Sequence, residues 1–202
     1  MTDETMTEET IATPRIIGSI RALDEAGAAP AGGASGGATN GKGVVRMHDR
    51  FDTTIDDLWS AMTERSRVAR WIGEVDGDLV LGGTFAARLT SGWEGEARVD
   101  VCEPPHRLVI TMRPGDADET VFEAQLSDAD GGTDLVVEES GLPLAVISAH
   151  GAGWQAHIED LATHVAGRVP GPWVERWKQL SPTYVAMVAE IGTQATATDA
   201  PA

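Results

Sequence analysis

The stretch HGAGWQAHIEDLATHVA, residues 150–166, decides the fold of this chain. Its apolar residues recur at spacings of three and four, which predicts an amphipathic helix. These residues are Trp154, Ile158, Leu161 and Val165. Between Gly82-Gly83 and this helix, apolar and polar residues alternate as they do in strands. A long helix after such strands packs across the face of their sheet, so the sequence predicts a cleft between helix and sheet.

Strand candidates cover most of the chain before that helix. The segment DLVLGGTFAARL, residues 78–89, predicts a hairpin that turns at Gly82-Gly83. Further strands are predicted at EGEARVDV (94–101), RLVITMR (107–113), ETVFEAQL (119–126) and TDLVVEES (133–140). An N-terminal hairpin is predicted from IIGSIRAL (16–23) and VVRMHDRF (44–51), joined by a flexible Gly/Ala-rich loop at residues 26–43.

Shorter helices are predicted before the sheet segments and after the long helix. Thr54 precedes an amphipathic run and is a candidate N-cap residue. Thr63 is a candidate N-cap for a second short helix that reaches Ile72. Beyond the long helix, Gly167 and Pro170-Gly171-Pro172 prevent the helix from continuing.

The C-terminal segment, residues 168–192, predicts a helical extension made of two short helices. Trp173 and Trp177 lie four residues apart, on one face of the first helix. They pack back on the domain, close the mouth of the cleft, or form a dimer contact. Ser181-Pro182 resembles an N-cap followed by proline at the first helical position, which predicts the start of the second helix.

The order of these elements predicts an α+β domain over residues 16–167. In such a domain, helices lie on one side of an antiparallel sheet. Residues 1–15 form an acidic tail that is predicted to be disordered, because it has little apolar surface to bury. Residues 193–202 are predicted to be a second disordered tail.

Composition limits the classes of partner. A net charge of −17 over 202 residues repels phosphate backbones and anionic lipids, so we expect neither nucleic acid nor a membrane as partner. Cys102 is the only cysteine, which excludes an intrachain disulfide. The acidic start MTDETMTEET does not resemble a signal peptide, and we expect a cytoplasmic protein. We expect no cofactor and no metal.

Several short motifs follow one another along the chain: Asp57-Leu58-Trp59, Ala69-Arg70-Trp71, Gly82-Gly83-Thr84-Phe85, Glu103-Pro104-Pro105, Gly132-Thr133, Glu139-Ser140-Gly141 and Gly153-Trp154. This order resembles that of the SRPBCC superfamily, and within it the branch similar to the C-terminal domain of the activator of heat-shock protein 90 ATPase. The resemblance spans residues 43–167. It implies a helix-grip fold, in which a curved antiparallel sheet wraps around a long C-terminal helix and encloses a hydrophobic cavity. Relatives include lipid carriers, polyketide cyclases, hormone receptors and chaperone regulators, so the fold does not decide the function.

Large side chains are the candidate walls of this cavity. The chain has six Trp but only three Phe and one Tyr, and Trp side chains commonly form packing centres or cavity walls. The candidate ligand-binding residues are Trp59, Trp71, Phe85, Trp93, Met112, Phe122, Trp154, Ile158 and Leu161. Ordinary core packing is the alternative role for each of them.

Three histidines recur every seven residues on the long helix: His150, His157 and His164. Seven residues rise about 10.5 Å along a helix, so these side chains are too far apart to share one metal ion. One interpretation is that all three are half-buried boundary residues. The other is that His150 or His157 points into the cleft as a polar contact or a general base.

Glu139 is the acidic candidate. Alternation places it on the apolar face of its strand, where a carboxylate needs a partner. Arg98 or Arg113 is a candidate partner, and a cavity acid that works with His157 is the sharper hypothesis. The alternative is that the strand ends at Glu139 and that its side chain is exposed to solvent.

Three classes of function remain open at this point. The first is non-catalytic binding of a small apolar or aromatic ligand in the cavity. The second is an enzyme of the cyclase or hydrolase type, with Glu139 and either His157 or His150 as its catalytic residues. The third is a chaperone regulator, as the resemblance implies, with an acidic surface that docks on a basic partner. A homodimer or another protein partner also remains open.

Overall fold

The structure, a computed structural model, describes residues 15–23 and 41–198. Within them the strands are β1 (Gly18–Ala22), β2 (Lys42–Phe51), β3 (Gly73–Gly77), β4 (Thr84–Leu89), β5 (Glu94–Glu103), β6 (Arg107–Met112), β7 (Thr120–Ala129) and β8 (Gly132–Pro143). The helices are α1 (Ile55–Thr63), α2 (Arg65–Val68), α3 (Ile147–Val165) and α4 (Trp173–Thr198). The strands form one antiparallel sheet in the order β1-β2-β8-β7-β6-β5-β4-β3.

The sheet curves around α3. Its ladder is irregular between Gly43 and Val44 in β2 and between Val99 and Val101 in β5, and such bulges bend strands. Alternation turns one face of each strand toward α3. In β8 this face consists of Thr133, Leu135, Val137 and Glu139, all of which are buried. The sheet and α3 share one apolar core, and the predicted α+β helix-grip fold is confirmed.

Helix α4 packs tightly on α3 and β1. Tyr184 of α4 is fully buried, and its hydroxyl donates to Oε1 of Gln155 on α3 at 2.7 Å. Gly151 of α3 is required at this crossing, because a Cβ there would overlap the Tyr184 ring. Gly18 of β1 makes room for the Tyr184 hydroxyl in the same way. The two glycines therefore allow α4 to approach closely.

The hairpin that contains β3 and β4 differs from the predicted one. Strand β3 ends at Gly77, and the residues predicted as its strand, 78–81, lie in a loop that continues to Gly83. Gly82 and Gly83 do not form a two-residue turn. The Gly82 N–H donates to the Val99 carbonyl, and the Val99 N–H donates to the Gly83 carbonyl. These bonds hold the loop against β5 beside its bulge.

The predicted N-cap of α1 is confirmed, whereas that of α2 is wrong. The side chain of Thr54 accepts a hydrogen bond of 3.3 Å from a backbone N–H in the first turn of α1. Thr63 is the last residue of α1, and its hydroxyl donates to the Trp59 carbonyl at 2.8 Å. Helix α2 follows Glu64 without a side-chain cap and ends before Ile72.

Helix α3 begins earlier than predicted, at Ile147 rather than His150. The preceding residue, Val146, makes no side-chain cap, so no capping signal in the sequence marks this start. Gly153-Trp154 therefore lies in the second turn of the helix.

One continuous helix, α4, replaces the two short helices predicted for the C-terminal segment. Pro182 lies inside it. The Ser181 hydroxyl donates to the Trp177 carbonyl at 2.8 Å, so Ser181 does not cap a helix start. A proline inside a helix costs about 3 kcal/mol. The complete burial of Leu180 and Tyr184, on either side of the proline, helps to offset that cost.

The remaining predicted boundaries are described only in part. The acidic tail at residues 1–15 lies almost entirely outside the described residues. So does the loop at residues 26–43, although β2 already begins at Lys42. Helix α4 continues to Thr198, inside the predicted tail at 193–202. In the described part of the chain, no helix is long and apolar enough to cross a membrane.

Candidate functional site

A cavity of about 380 Å³ opens between α3, the start of α4 and the sheet, and we call it the outer chamber. Its lining consists of Leu89, Ser91, Trp93, Met112, Glu139, Ala149, His150, Gly153, Trp154, His157, Trp173, Val174 and Trp177. Most of these side chains are apolar. The few polar ones cluster around Glu139 of β8 and the histidines of α3.

A second cavity, the inner chamber, has a volume of about 80 Å³ and almost no polar lining. It is lined by Met62, Thr63, Val68, Trp71, Ile72, Val75, Leu79, Phe85, Leu89, Leu108, Ile110, Met112, Phe122 and Trp154. Leu89, Met112 and Trp154 belong to both linings, so they form the wall between the chambers.

Three hydrogen-bond donors surround the Glu139 carboxylate. The Thr120 hydroxyl donates to Oε1 at 2.8 Å, and the indole N–H of Trp154 donates to Oε2 at 2.6 Å. Nδ1 of His150 lies 3.1 Å from Oε2. His150 and Trp154 are four residues apart on α3, so one helix face presents both to β8. The Glu139 side chain is only 7% exposed.

Hydrogen bonding decides the ionisation of Glu139. Burial alone would raise the pKa of this carboxyl. The bonds from His150, Trp154 and Thr120, together with the charge of a protonated imidazole, outweigh burial and hold the pKa below its usual value. Glu139 is therefore a carboxylate at neutral pH. Since a carboxylate only accepts, Nδ1 of His150 is the donor in their contact.

His157 is buried beside the outer chamber, with only 3% of its surface exposed. Burial lowers the pKa of His157 to about 4, and the backbone of Trp71 opposes this shift weakly. Within the described residues, neither ring nitrogen makes a hydrogen bond of normal geometry. The indole N–H of Trp173, beside the same chamber, is also buried and has no hydrogen-bond partner in the described part of the chain. His157 is therefore a neutral imidazole at pH 7, with hydrogen-bonding capacity left unused.

A row of aromatic rings crosses the site from the sheet to α4. Phe122 of β7 stacks on Trp154 with ring centroids 4.9 Å apart, and Trp154 meets the edge of His157 at 6.1 Å. His157 lies 5.1 Å from Trp173, which stacks on Trp177 at 6.3 Å. Helix α4 thus packs on α3 and also forms one wall of the outer chamber. Of the roles considered for its tryptophans, packing back on the domain is the one that the structure shows.

The predicted ligand-binding residues divide between the two chambers and the core. Trp71, Phe85 and Phe122 line the inner chamber, Trp93 lines the outer one, and Met112 and Trp154 line both. The other three line neither chamber. Ile158 and Leu161 are fully buried in the core, and Trp59 is half-buried on α1 against that core. For α3, the most apolar face packs on the sheet, and the chamber lies beside it.

The acid–histidine pair differs from the predicted one. Glu139 contacts His150, whereas His157 makes no hydrogen bond to it. Neither predicted arginine partner reaches the carboxylate. Arg98 bonds to Asp100 at 2.6 Å, and Arg113 donates to the Glu94 carbonyl at 3.0 Å. Arg98 lies at an exposed position of β5, and Arg113 follows the last residue of β6, with its guanidinium over the ring of Trp93.

Sequence reasoning missed other residues of the outer chamber. Ser91 and Val174 carried no signal, because neither belongs to a periodic apolar pattern. The four-residue spacing of Trp173 and Trp177 does predict that both side chains lie on one face of a helix, and both line the outer chamber. Among the described residues, no group of three or more His, Cys, Asp or Glu side chains is arranged to hold a metal ion.

Comparisons with known proteins agree with this architecture. The model of a family described as activator of Hsp90 ATPase homolog 1-like protein matches residues 52–166. The crystal structure of CalU16 from Micromonospora echinospora is 25% identical, with a TM-score of 0.64, and the match covers 86% of this chain and 97% of CalU16. A search of curated proteins found no significant match.

Two further solved structures are similar. DynU16, from the dynemicin biosynthetic locus, is 26% identical with a TM-score of 0.57, and the match covers 62% of this chain and 48% of DynU16. The solution structure of the protein encoded by BPP1335 from Bordetella parapertussis is 23% identical with a TM-score of 0.59. That match covers 76% of this chain and 88% of the other, and it supports the fold alone.

The family match begins just before α1 and ends after the last residue of α3. It therefore includes α1, α2, α3 and the strands from β3 to β8, but not the start of α4, which forms the remaining wall of the outer chamber. The resemblance inferred from the ordered motifs is confirmed. The chain belongs to the family of activator of Hsp90 ATPase homolog 1-like proteins.

Proposed function

We propose that the protein binds a small apolar or aromatic molecule in the outer chamber without catalysing a reaction. The supporting observation is a chamber of about 380 Å³ with four tryptophans in its walls: Trp93, Trp154, Trp173 and Trp177. Apolar pockets of roughly 300–1,000 Å³ with a few placed polar groups are typical of small-molecule sites. In this interpretation the Glu139–His150 pair orients the ligand and the tryptophans supply the contact area.

Gly153 offers a direct test, because it lines the outer chamber. A Cβ at this position lies 3.5 Å from the Trp173 ring, an ordinary contact, so alanine fits. A leucine at the same position extends into the chamber and fills part of it. We expect Gly153→Leu to weaken ligand binding at least tenfold, and Gly153→Ala to leave the affinity within about twofold of the wild type.

The measurement uses 1-naphthylmethanol as an aromatic probe, with isothermal titration calorimetry and quenching of tryptophan fluorescence. Circular dichroism confirms that each variant is folded. Equal affinity of the wild type and both variants would place the probe outside the outer chamber. An absence of binding by this probe and by its charged analogues would contradict the proposed function.

A second candidate function, acid–base catalysis, is favoured by the 3.1 Å contact between His150 and Glu139. A neutral imidazole that donates through Nδ1 keeps Nε2 as an acceptor. In this candidate, Glu139 holds the tautomer and His150 takes a proton from a substrate or from water. His150 lines the outer chamber and its side chain is 33% exposed, so a ligand can reach it.

Hydrolysis of 1-naphthyl acetate, followed by release of 1-naphthol, tests this second candidate. General acid–base catalysis contributes roughly 10²–10⁴-fold, so Glu139→Gln and His150→Gln should each lower the rate by about 10²-fold. His48→Gln is the control, because His48 is exposed on β2 away from both chambers. A rate that survives in both Glu139→Gln and His150→Gln rules this assignment out.

A further inference from the structure

We propose that the outer chamber selects an organic cation, an amine or quaternary ammonium group carried on an apolar or aromatic body. This inference rests on the proposed function, because it names the class of ligand for the same chamber. The inference is based on one buried carboxylate, Glu139, which lies in a chamber with four tryptophans in its walls. The described lining residues include no arginine and no lysine.

The charge balance of the chamber favours a cation. Glu139 and two histidines are the only titratable groups among its described lining residues. His157 is neutral, because burial holds its pKa at about 4. Among the described residues, the carboxylate accepts hydrogen bonds from Thr120, His150 and Trp154 but forms no ion pair with an arginine or a lysine. A buried carboxylate without such a permanent counter-ion is unfavourable, and a cationic ligand would supply one.

The carboxylate also retains acceptor capacity. Oε2 of Glu139 accepts from both Trp154 and His150, whereas Oε1 accepts only from Thr120 among the residues that the structure describes. The two oxygens of a carboxylate together offer about four acceptor sites. An ammonium N–H that enters the chamber can therefore bond to Oε1 without displacing an existing donor.

Tryptophan is the best side chain for binding a cation over its ring. Trp154 is fixed to the carboxylate by its own N–H bond of 2.6 Å, so a cation that contacts Glu139 is also close to an indole ring. Trp93 already holds a cation in this protein, since the Arg113 guanidinium lies 5.4 Å from its ring centroid. The chain's net charge of −17 adds a long-range attraction for cations and repels anions.

Three naphthalene probes of similar shape test the inference: 1-naphthylmethylammonium, 1-naphthylmethanol and 1-naphthoate. Affinities are measured by isothermal titration calorimetry at pH 8, where imidazole side chains are normally neutral. We expect the ammonium probe to bind at least tenfold more tightly than the alcohol, and the carboxylate probe to bind most weakly.

Glu139→Gln keeps the shape of the side chain and removes its charge, and it should reduce the preference for the ammonium probe to within about twofold. Glu138→Gln is the matched control. Glu138 is the neighbouring residue on β8, faces the other side of the sheet and pairs with Arg46 at 3.1 Å. Glu138→Gln removes the same charge from the chain without changing the chamber, so the preference for the ammonium probe should survive.

The outcomes separate the two proposals. If the wild type binds the alcohol as tightly as the ammonium probe, the cation inference is overturned while ligand binding stands. A preference that persists in Glu139→Gln, or disappears in Glu138→Gln, also overturns it, because the net charge then explains the selectivity. If no probe binds, the proposed function fails and this inference fails with it. The wild-type comparison stays decisive even if Glu139→Gln does not fold.

Discussion

The indole nitrogen of Trp154 donates a 2.6 Å hydrogen bond to Oε2 of Glu139. This bond links the second turn of α3 to β8, the strand near the middle of the sheet. It joins a residue of the Gly153-Trp154 motif to a residue of the Glu139-Ser140-Gly141 motif. The last two motifs of the ordered series thus meet at one polar contact beside a largely apolar cavity.

Loss of the Glu139 charge should destabilise the fold and change its response to acid. Hydrogen bonds to a charged group contribute roughly 1.5–3 kcal/mol each. We therefore expect Glu139→Gln to lower the free energy of unfolding by about 2 kcal/mol at pH 7. The measurement is urea unfolding, followed by circular dichroism.

The acid response has a definite sign. The pKa of Glu139 is lower in the folded protein than in the unfolded chain, where a glutamate has a pKa of about 4.3. Its stabilising contribution is thus complete above that value and is lost as the pH falls through the folded pKa. The difference in the free energy of unfolding between the wild type and Glu139→Gln should therefore be smaller at pH 3.5 than at pH 7. Glu138→Gln, a surface control, should differ from the wild type by less than about 1 kcal/mol at pH 7. A constant difference for Glu139→Gln at both pH values would contradict this account.

Because His157 is buried, the free energy of unfolding should fall as the pH is lowered from 6.5 to 4. Burial lowers the folded-state pKa of His157 to about 4, whereas a histidine in an unfolded chain titrates near 6.5. The unfolded chain binds the proton first, so stability is complete above about pH 6.5 and falls as the pH approaches 4. The gap between the two pKa values corresponds to a loss of about 3 kcal/mol.

The His157→Phe variant removes this titration and keeps a ring between Trp154 and Trp173. It also removes two ring nitrogens that have no hydrogen-bond partner within the described residues. We expect it to equal or exceed the wild type in stability at pH 7, and to lose less stability at pH 4. The comparison uses urea unfolding at the two pH values, with His48→Phe as an exposed control. Equal pH dependence in the wild type and His157→Phe would show that His157 titrates normally.

The sequence predicts those parts of the fold in which a local rule and the tertiary structure agree. The alternation in β8 places Glu139 on the buried face, and the structure keeps it there because the same face carries Leu135 and Val137 into the core. The cap at Thr54 is a bond within one turn, so its residues are adjacent in the sequence. The helix over the sheet follows from the apolar stripe of α3.

Other features depend on contacts between distant segments. Gly82-Gly83 resembles a hairpin turn, but its backbone pairs with Val99, a partner that no local pattern identifies. The choice of His150 over His157 as the partner of Glu139 depends on how α3 is rotated against β8. Pro182 predicts a helix boundary, yet the burial of Tyr184 keeps the helix continuous. In the site, the same distant contacts decide which large side chains line a chamber and which fill the core.

Replacement of Pro182 by alanine should stabilise α4. Pro182 has no N–H to donate to the carbonyl one turn earlier, and its side chain is exposed, so alanine restores the helix bond without losing core packing. The gain is reduced by the greater freedom of alanine in the unfolded chain. We expect a net increase of about 1–2 kcal/mol in the free energy of unfolding.

The control for this prediction is Pro172→Ala. Pro172 is also exposed but lies just before the first residue of α4, so its replacement restores no helix bond. Thermal unfolding followed at 222 nm (about the helix minimum in circular dichroism) compares the two variants. A lower midpoint for Pro182→Ala than for Pro172→Ala would mean that the proline supports a bend that α4 needs.

Two glycines of α3 should respond in opposite directions to the same substitution. Alanine is favoured over glycine inside a helix by about 1 kcal/mol, and this gain applies equally to Gly151 and Gly153. At Gly153 the added methyl group makes an ordinary contact with Trp173 at 3.5 Å, so we expect Gly153→Ala to raise the free energy of unfolding by up to about 1 kcal/mol.

At Gly151 the added methyl group would overlap the ring of Tyr184, which is fully buried and cannot swing into solvent. Overpacking of this kind costs about 1–3 kcal/mol, so Gly151→Ala should be destabilising overall. Tyr184→Leu removes the ring that the added methyl group would overlap. Gly151→Ala should therefore cost less free energy of unfolding in the Tyr184→Leu background than in the wild type. Urea unfolding of the wild type and the three variants gives the coupling energy. A coupling of zero would show that α3 and α4 do not meet at these two residues, and α4 would then no longer be held in place as the wall of the outer chamber.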